Sequence, residues 1–174
     1  PYKEKIIPYL DELDATARSI GSVNTVRIQH TNGKLHTKGF NTDAGGFLLT
    51  LTDQVPRGNA LILGTGGAAK AVAYALKEKH IPFTLVSRKN KGKNIISYKD
   101  LTKIVLSDNR LIINTTPLGM YPDTNNFPPI PYHLLTGDHF LYDLIYNPGE
   151  TLFLKRGKAV NSGTMNGLQM LINQ

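Results

Sequence analysis

The sequence predicts an α/β fold built on a doubly wound parallel sheet. Three observations carry that reading. Short apolar runs of strand length recur at 61–63, 82–86, 111–114 and 140–144, with segments of helical character between them. The first run stops at a glycine cluster in which Gly64, Gly66 and Ala69 fit G-x-G-x-x-A. After it Ala69, Val72, Ala73 and Leu76 recur at helical spacing, so strand, tight turn and helix follow one another directly.

Residues 4–20 read as two short helical pieces. Ile6, Ile7 and Leu10 supply an apolar face, and Pro8 is tolerated only in a first turn or at a break. Asp14 suits the N-cap of the second piece, which ends near Ile20-Gly21. In 23–40, Thr31-Asn32-Gly33-Lys34 is a hairpin signal, because Asn-Gly accepts the positive φ angles of a type I′ turn. Val26 and Ile28 on one arm and Leu35 on the other make two paired strands. Asp43 reads as the N-cap of a helix that carries Phe47-Leu48-Leu49 and ends near Asp53, and Pro56-Arg57-Gly58-Asn59 is a turn. A domain boundary belongs between Asp43 and Asn59, with the helix as connector.

Beyond the glycine unit come a second buried strand at 82–86, then strands at 111–114 and 140–144, and a short last one at Ala159-Val160. Helices are expected near 97–105, 150–156 and 165–174. Residues 117–139 hold five of the ten prolines and read as a long loop or a set of turns; long loops are often functional in compact domains.

The glycine unit has a mechanism. Gly64 allows the sharp turn, Gly66 lets backbone approach a pyrophosphate, and Ala69 seats the helix close on the strand. Unpaired N–H groups and the positive dipole end at the helix start then face the phosphates. The alternative is a glycine-rich βα turn that binds nothing. The second strand ends in Ser87-Arg88-Lys89. No carboxylate stands there for a ribose 2′-OH, and a guanidinium suits a 2′-phosphate, which favours NADP over NAD. Asn114-Thr115-Thr116 and Gly119 follow another strand at its carboxyl end, where such sheets bind ligands. Lys3 and Asp43 are the candidate acid–base pair: hydride transfer between ketone and alcohol needs a proton at the oxygen, and a lysine beside a carboxylate can hold it.

Composition narrows the classes. The 174 residues are 40% hydrophobic and 19% charged, as in ordinary globular proteins. No apolar run approaches the roughly 20 residues a membrane helix needs. Cysteine is absent and the five histidines have no metal-ligand spacing, so neither disulfides, thiolate chemistry nor a metal is expected. The net charge is +7, but the basic run 88–93 has no interleaved aromatics and reads as a solvated loop near a cofactor, not a nucleic-acid surface.

Eight motifs in order make the chain resemble the shikimate dehydrogenases. Pro1-Tyr2-Lys3-Glu4 resembles the end of the family's N-V-T-x-P-x-K. Gly21-Ser22-Val23-Asn24-Thr25 resembles G-A-V-N-T, and Gly39-Phe40-Asn41-Thr42-Asp43 resembles G-x-N-T-D. GTGGAAKA resembles G-A-G-G-A-x-x-A, Ser87-Arg88-Lys89 stands at the N-R-T position, and NTTPLGM resembles N-A-T-S-x-G-M. Tyr142-Asp143-Leu144-Ile145-Tyr146-Asn147-Pro148 resembles Y-D-x-x-Y-x-P, and Gly167-Leu168-Gln169-Met170-Leu171 the closing G-L-x-M-L helix.

The resemblance implies a Rossmann-like cofactor domain and a cytoplasmic enzyme of aromatic amino-acid biosynthesis that interconverts 3-dehydroshikimate and shikimate with NADP. It makes Lys3 and Asp43 catalytic, and places Asn24, Thr42, Tyr146 and Gln174 at the substrate. It lines the cofactor site with Gly64, Thr65, Gly66, Gly67, Ala68, Ser87, Arg88, Lys89, Asn114, Thr115, Thr116, Ile145 and Gly167. Residues 1–43 become part of a substrate domain, 44–58 the connector, 59–163 the cofactor domain, and 164–174 a helix returning toward the substrate domain.

The family's earlier S-x-S pair and the threonine of N-V-T-x-P-x-K are not in this chain, and its last helix runs past the position of Gln174. The expectation is a truncated chain that binds NADP and turns over poorly, with an exposed sheet edge that supports a homodimer. A quinate/shikimate dehydrogenase using NAD and a non-catalytic nucleotide-binding module are the other readings.

Overall fold

The computed structural model describes every residue except Pro1, Asn32, Arg57, Asn90, Lys91 and Lys93, together with the side chain of Thr31. It contains two sheets. The smaller is built from β1 (Glu12–Leu13), β2 (Thr25–Thr31) and β3 (Lys34–Phe40), in the order β1-β3-β2. β2 and β3 are the antiparallel hairpin, paired from Thr25↔Phe40 to Thr31↔Lys34. Gly33 sits at φ +73°, as a primed turn requires, while the expectation for Asn32 lies outside the described residues.

The two short helical pieces expected in 4–20 are present, the first only as a 3₁₀ turn over Ile7–Tyr9, and between them lies a strand that was not expected: β1 pairs in parallel with β3 before α1 (Ala15–Ile20) begins. The two-residue strand has no periodicity of its own; its hydrogen bonds to β3 define it. Asp14 caps α1 as expected, its carboxylate accepting from the Ala17 amide at 2.7 Å, and Gly21 ends it in the left-handed region.

α2 (Thr42–Leu48) differs at both ends from the expectation. Its N-cap is Asn41, whose Oδ1 accepts from the Ala44 amide at 3.1 Å, so Asp43 lies in the first turn with its carboxylate left for other partners. The helix stops at Leu48, well before Asp53. Thr50 donates to the Phe47 carbonyl at 2.7 Å, a local bond that satisfies a terminal carbonyl.

The larger sheet has six strands, all parallel, in the order β6-β5-β4-β7-β8-β9. They are β4 (Ala60–Leu63), β5 (Phe83–Ser87), β6 (Ile95–Ser97), β7 (Leu111–Asn114), β8 (Phe140–Asp143) and β9 (Gly163–Met165). β4 and β7 are buried along their whole length, which is why they read as unbroken apolar runs. Helices α3 (Gly67–Glu78), α4 (Lys103–Asp108), α5 (Leu152–Lys158) and α6 (Leu168–Ile172) complete the chain.

One apolar cluster, around Ile62, Val72, Leu76, Ile113, Tyr142 and Phe47, packs α2 and α3 on one face of the sheet. The other, around Leu61, Leu63, Ile112, Leu141 and Phe153, fills the opposite face. Two layers of core about a parallel sheet are what a doubly wound fold needs.

Two strand assignments change. Ile95-Ile96 is an edge strand that three residues of sequence did not announce. The last strand is Gly163–Met165, whereas Ala159 is the C-cap of α5 and Val160 follows in the turn beyond it. A glycine opens that strand because a Cβ there would overlap the Phe140 ring. The proline-rich stretch is a loop with one 3₁₀ turn at Tyr132–Leu134, held by the Arg156 guanidinium 4.1 Å from the Phe127 ring centroid.

Candidate active site

The strand order places β4 beside β5 on one side and β7 on the other, so the connections leave in opposite directions and a crevice opens at their carboxyl ends. α3 starts there. Its N-cap is Gly66 and no side chain caps its first turn. Gly64 adopts φ +118°, and a Cβ would meet Thr115 Oγ1 at 2.7 Å; Gly66 opens onto free space. A turn stripped of side chains over uncapped amides is a fitting cradle for a diphosphate.

Thr65, Ser87, Arg88, Lys89 and Ile95 line a pocket beside this turn, so the guanidinium and the glycine loop share one face of the molecule. On the other side, Thr115, Thr116, Pro117, Ile145 and Tyr146 line an apolar-walled pocket over β7 and β8. Asn114 does not line it. Its side chain is fully buried, donating to Asp143 at 3.0 Å and accepting from the Thr116 amide and hydroxyl at 3.0 and 2.7 Å. The expected cofactor contact from Asn114 is therefore corrected to support of the loop.

A third pocket, sharing Leu144 and Tyr146 with the second, is lined by Lys3, Asp43, Ala68, Gly167 and Gln174. Lys3 Nζ donates to Asp43 Oδ2 at 2.5 Å. Asp43 Oδ1 accepts from Asn24 Nδ2 at 2.9 Å and from Gln174 Nε2 at 3.1 Å. Asn24 also donates to Thr42 Oγ1 and accepts from the Thr42 amide, both at 2.9 Å. Asp43 is buried, while the Lys3 side chain keeps 38% exposure, so the ammonium is anchored yet reachable. Tyr146 is half exposed at the rim.

Lys3 is fixed by its surroundings. Its carbonyl accepts from the Val23 amide at 2.7 Å, and its stem packs against Gly67, where a Cβ would come within 3.3 Å of Lys3 Cβ and 2.7 Å of Ser22 Oγ. Glu4 pairs with Lys70 of α3 at 2.8 Å. Gly167 is equally constrained, since a Cβ there would overlap the Leu144 carbonyl.

Comparison with known proteins decides the family. Residues 1–26 match the model of the shikimate dehydrogenase substrate binding domain. A protein of Carboxydothermus hydrogenoformans named shikimate dehydrogenase (NADP(+)) is 42% identical across the whole chain. The chain belongs to the shikimate dehydrogenase family. It spans 66% of the length of that relative. A crystal structure of the Thermus thermophilus family member, in complex with NADP(H) and shikimate, superposes with a TM-score of 0.81 at 34% identity, covering 99% of this chain and 66% of that one. The quinate dehydrogenase of Corynebacterium glutamicum, in complex with NAD, superposes at 0.82 with 27% identity, over 99% and 66%. The Rossmann-like architecture is thus the family's own.

Sequence reasoning missed Asp143 as a member of this region. It appears in the Tyr142-Asp143 motif, but only the register of β7 against β8, which pairs Asn114 with Asp143, reveals its partners. Among the described residues no group of His, Asp and Glu could hold a metal, and no helix is long and apolar enough to cross a membrane.

Proposed function

We propose that this chain carries the NADP-dependent interconversion of 3-dehydroshikimate and shikimate, in the cytoplasm. The observation that carries the reading is the Lys3–Asp43 pair at 2.5 Å, in a pocket that adjoins the crevice above β7 and β8. When bound, NADPH supplies the hydride. The chain's residues do the rest. Uncapped amides of Gly66, Gly67 and Ala68 hold the diphosphate, and Arg88, with Ser87, Thr65 and Lys89 beside it, takes the 2′-phosphate. Thr115, Thr116, Ile145 and Gly167 wall the ring end.

Lys3 gives a proton to the carbonyl oxygen during reduction and takes it back during oxidation. Asp43 aims the ammonium, while Asn24 and Gln174 hold the carboxylate from its other oxygen. Tyr146 and Gln174 line the pocket left for the hydroxylated ring, and Asn24 joins Thr42 to Asp43 beside it. In this reading 1–43 belongs to a substrate-binding unit, 44–58 connects, 59–163 binds the cofactor, and 164–174 returns toward the substrate. The outer edge of β2, open in the three-stranded sheet, suits a second copy of the chain, which light scattering tests.

The deciding experiment has two arms. NADPH binding to the purified chain is titrated, and its oxidation is followed with 3-dehydroshikimate. Binding with no turnover under any condition would retain the cofactor site and overturn the catalytic reading of this chain. Preference for NAD with quinate would favour the other dehydrogenase reading.

A further inference from the structure

We infer that Asp143 is a positioning residue for the ring end of the cofactor crevice, a buried carboxylate strut that ties the ends of β7 and β8 to the start of α5 and sets the crevice walls. The inference rests on the functional reading above, because the walls matter through the nucleotide they hold.

The strut is continuous. Asp143 Oδ1 accepts from Asn114 Nδ2 at 3.0 Å and from the Ile145 amide at 3.1 Å. Its Oδ2 accepts from Thr151 Oγ1 at 2.5 Å, and Thr151 is the N-cap of α5. Asn114 in turn accepts from Thr116 N and Oγ1. One carboxylate therefore fixes Thr116 through Asn114 on one wall and Ile145 directly on the other. Both residues line the same pocket.

Asp143 is 0% exposed, and no cation pairs with it among the described residues. A carboxylate in that setting is costly unless hydrogen bonds replace its water. Burial accordingly pushes its carboxyl up to about 6, with the Thr151, Ile145 and Asn114 donors acting against the rise. The other titratable group that acts on this region is the Tyr132 phenol, with the Arg156 guanidinium 5.3 Å from its ring centroid. A core position whose only task was packing would be served by an apolar residue; this one satisfies a backbone amide and two side chains at a ligand-lining turn.

The test uses the intact chain, Asp143→Ala and Asp143→Asn, each shown folded by circular dichroism. NADPH binding is read by nucleotide fluorescence, and amide exchange at Thr116 and Ile145 is read without nucleotide. Asp143→Ala is expected to weaken NADPH binding by about tenfold or more and to speed exchange at both amides, while β4 and β5 amides keep their protection. Asp143→Asn keeps an acceptor for Asn114 and Ile145 and should stay within about threefold of the unmodified chain.

A folded Asp143→Ala protein with unchanged affinity and unchanged exchange overturns the inference. Should Asp143→Ala fail to fold, Thr151→Val decides: it removes the donor to Oδ2 and should speed exchange at the Ile145 amide and weaken NADPH binding, and a folded Thr151→Val protein unchanged in both overturns the strut. A chain that binds no NADPH overturns the functional reading, while the nucleotide-free exchange result still decides the strut.

Discussion

Lys3 and Asp43, forty positions apart, meet at 2.5 Å between the ammonium and one carboxylate oxygen. The other oxygen is occupied by Asn24 and Gln174, so the carboxylate has one direction left in which to hold the lysine. Lys3→Met should lower kcat by about 10²- to 10⁴-fold, the usual weight of a positioned proton donor, with little change in NADP affinity. Asp43→Asn should lower it as well. Steady-state rates and a separate NADP titration check both, and equal losses in rate and nucleotide affinity would contradict the role.

Arg88 shares its pocket with Thr65, Ser87 and Lys89. Replacing it by Leu removes a charge-assisted contact worth about 1.5–3 kcal/mol, so NADP affinity should fall by roughly one to two orders of magnitude. NAD affinity should hardly move. Parallel titrations with the two dinucleotides read the difference.

The raised carboxyl of Asp143 makes stability depend on pH in an unusual direction. Its folded value, about 6, lies above its ordinary one of 3.8, so between these limits the folded chain binds the extra proton. This group's contribution is complete below about pH 4 and is lost as the pH rises through about 6. The full loss is at most about 3 kcal/mol. Urea unfolding of the unmodified chain and of Asp143→Asn from about pH 4 to about pH 8 should show the gap moving in the variant's favour as pH rises. Exposed carboxylates such as Glu12 and Asp100, shifted downward by their own partners, cancel in that comparison.

Ser22 is fully buried and its hydroxyl has no hydrogen-bond partner among the described residues. The resembling family motif carries alanine at this position. Ser22→Ala should therefore stabilise the chain by about 1 kcal/mol by removing an unsatisfied polar group. Chemical denaturation checks it, and a loss of stability would show that the hydroxyl has a role the geometry does not reveal.

What could be read from the residues alone divides by range. The β4–turn–α3 unit was legible because its causes are local: small residues at fixed offsets and a helical stripe directly after them. So was the hairpin, from its turn residues. β1 and β6 were not, because two or three residues become a strand only through a neighbour supplied elsewhere in the chain. Asn114 looked like a crevice residue from its place at a strand end, yet the opposite register partner turns it inward. Lys3, Asn24, Asp43 and Gln174 gather from four segments, and no spacing rule could have brought them together. Resemblance to the family supplied that grouping, and the folded chain supplied the distances.

The stem of Lys3 leans on Gly67, the first helical residue after the glycine turn. On the proposed reading, proton delivery and diphosphate recognition meet at a contact where even a Cβ would crowd Lys3. Anyone re-engineering that turn to accept a different dinucleotide would be adjusting the acid's aim at the same time, and the two properties would have to be selected together.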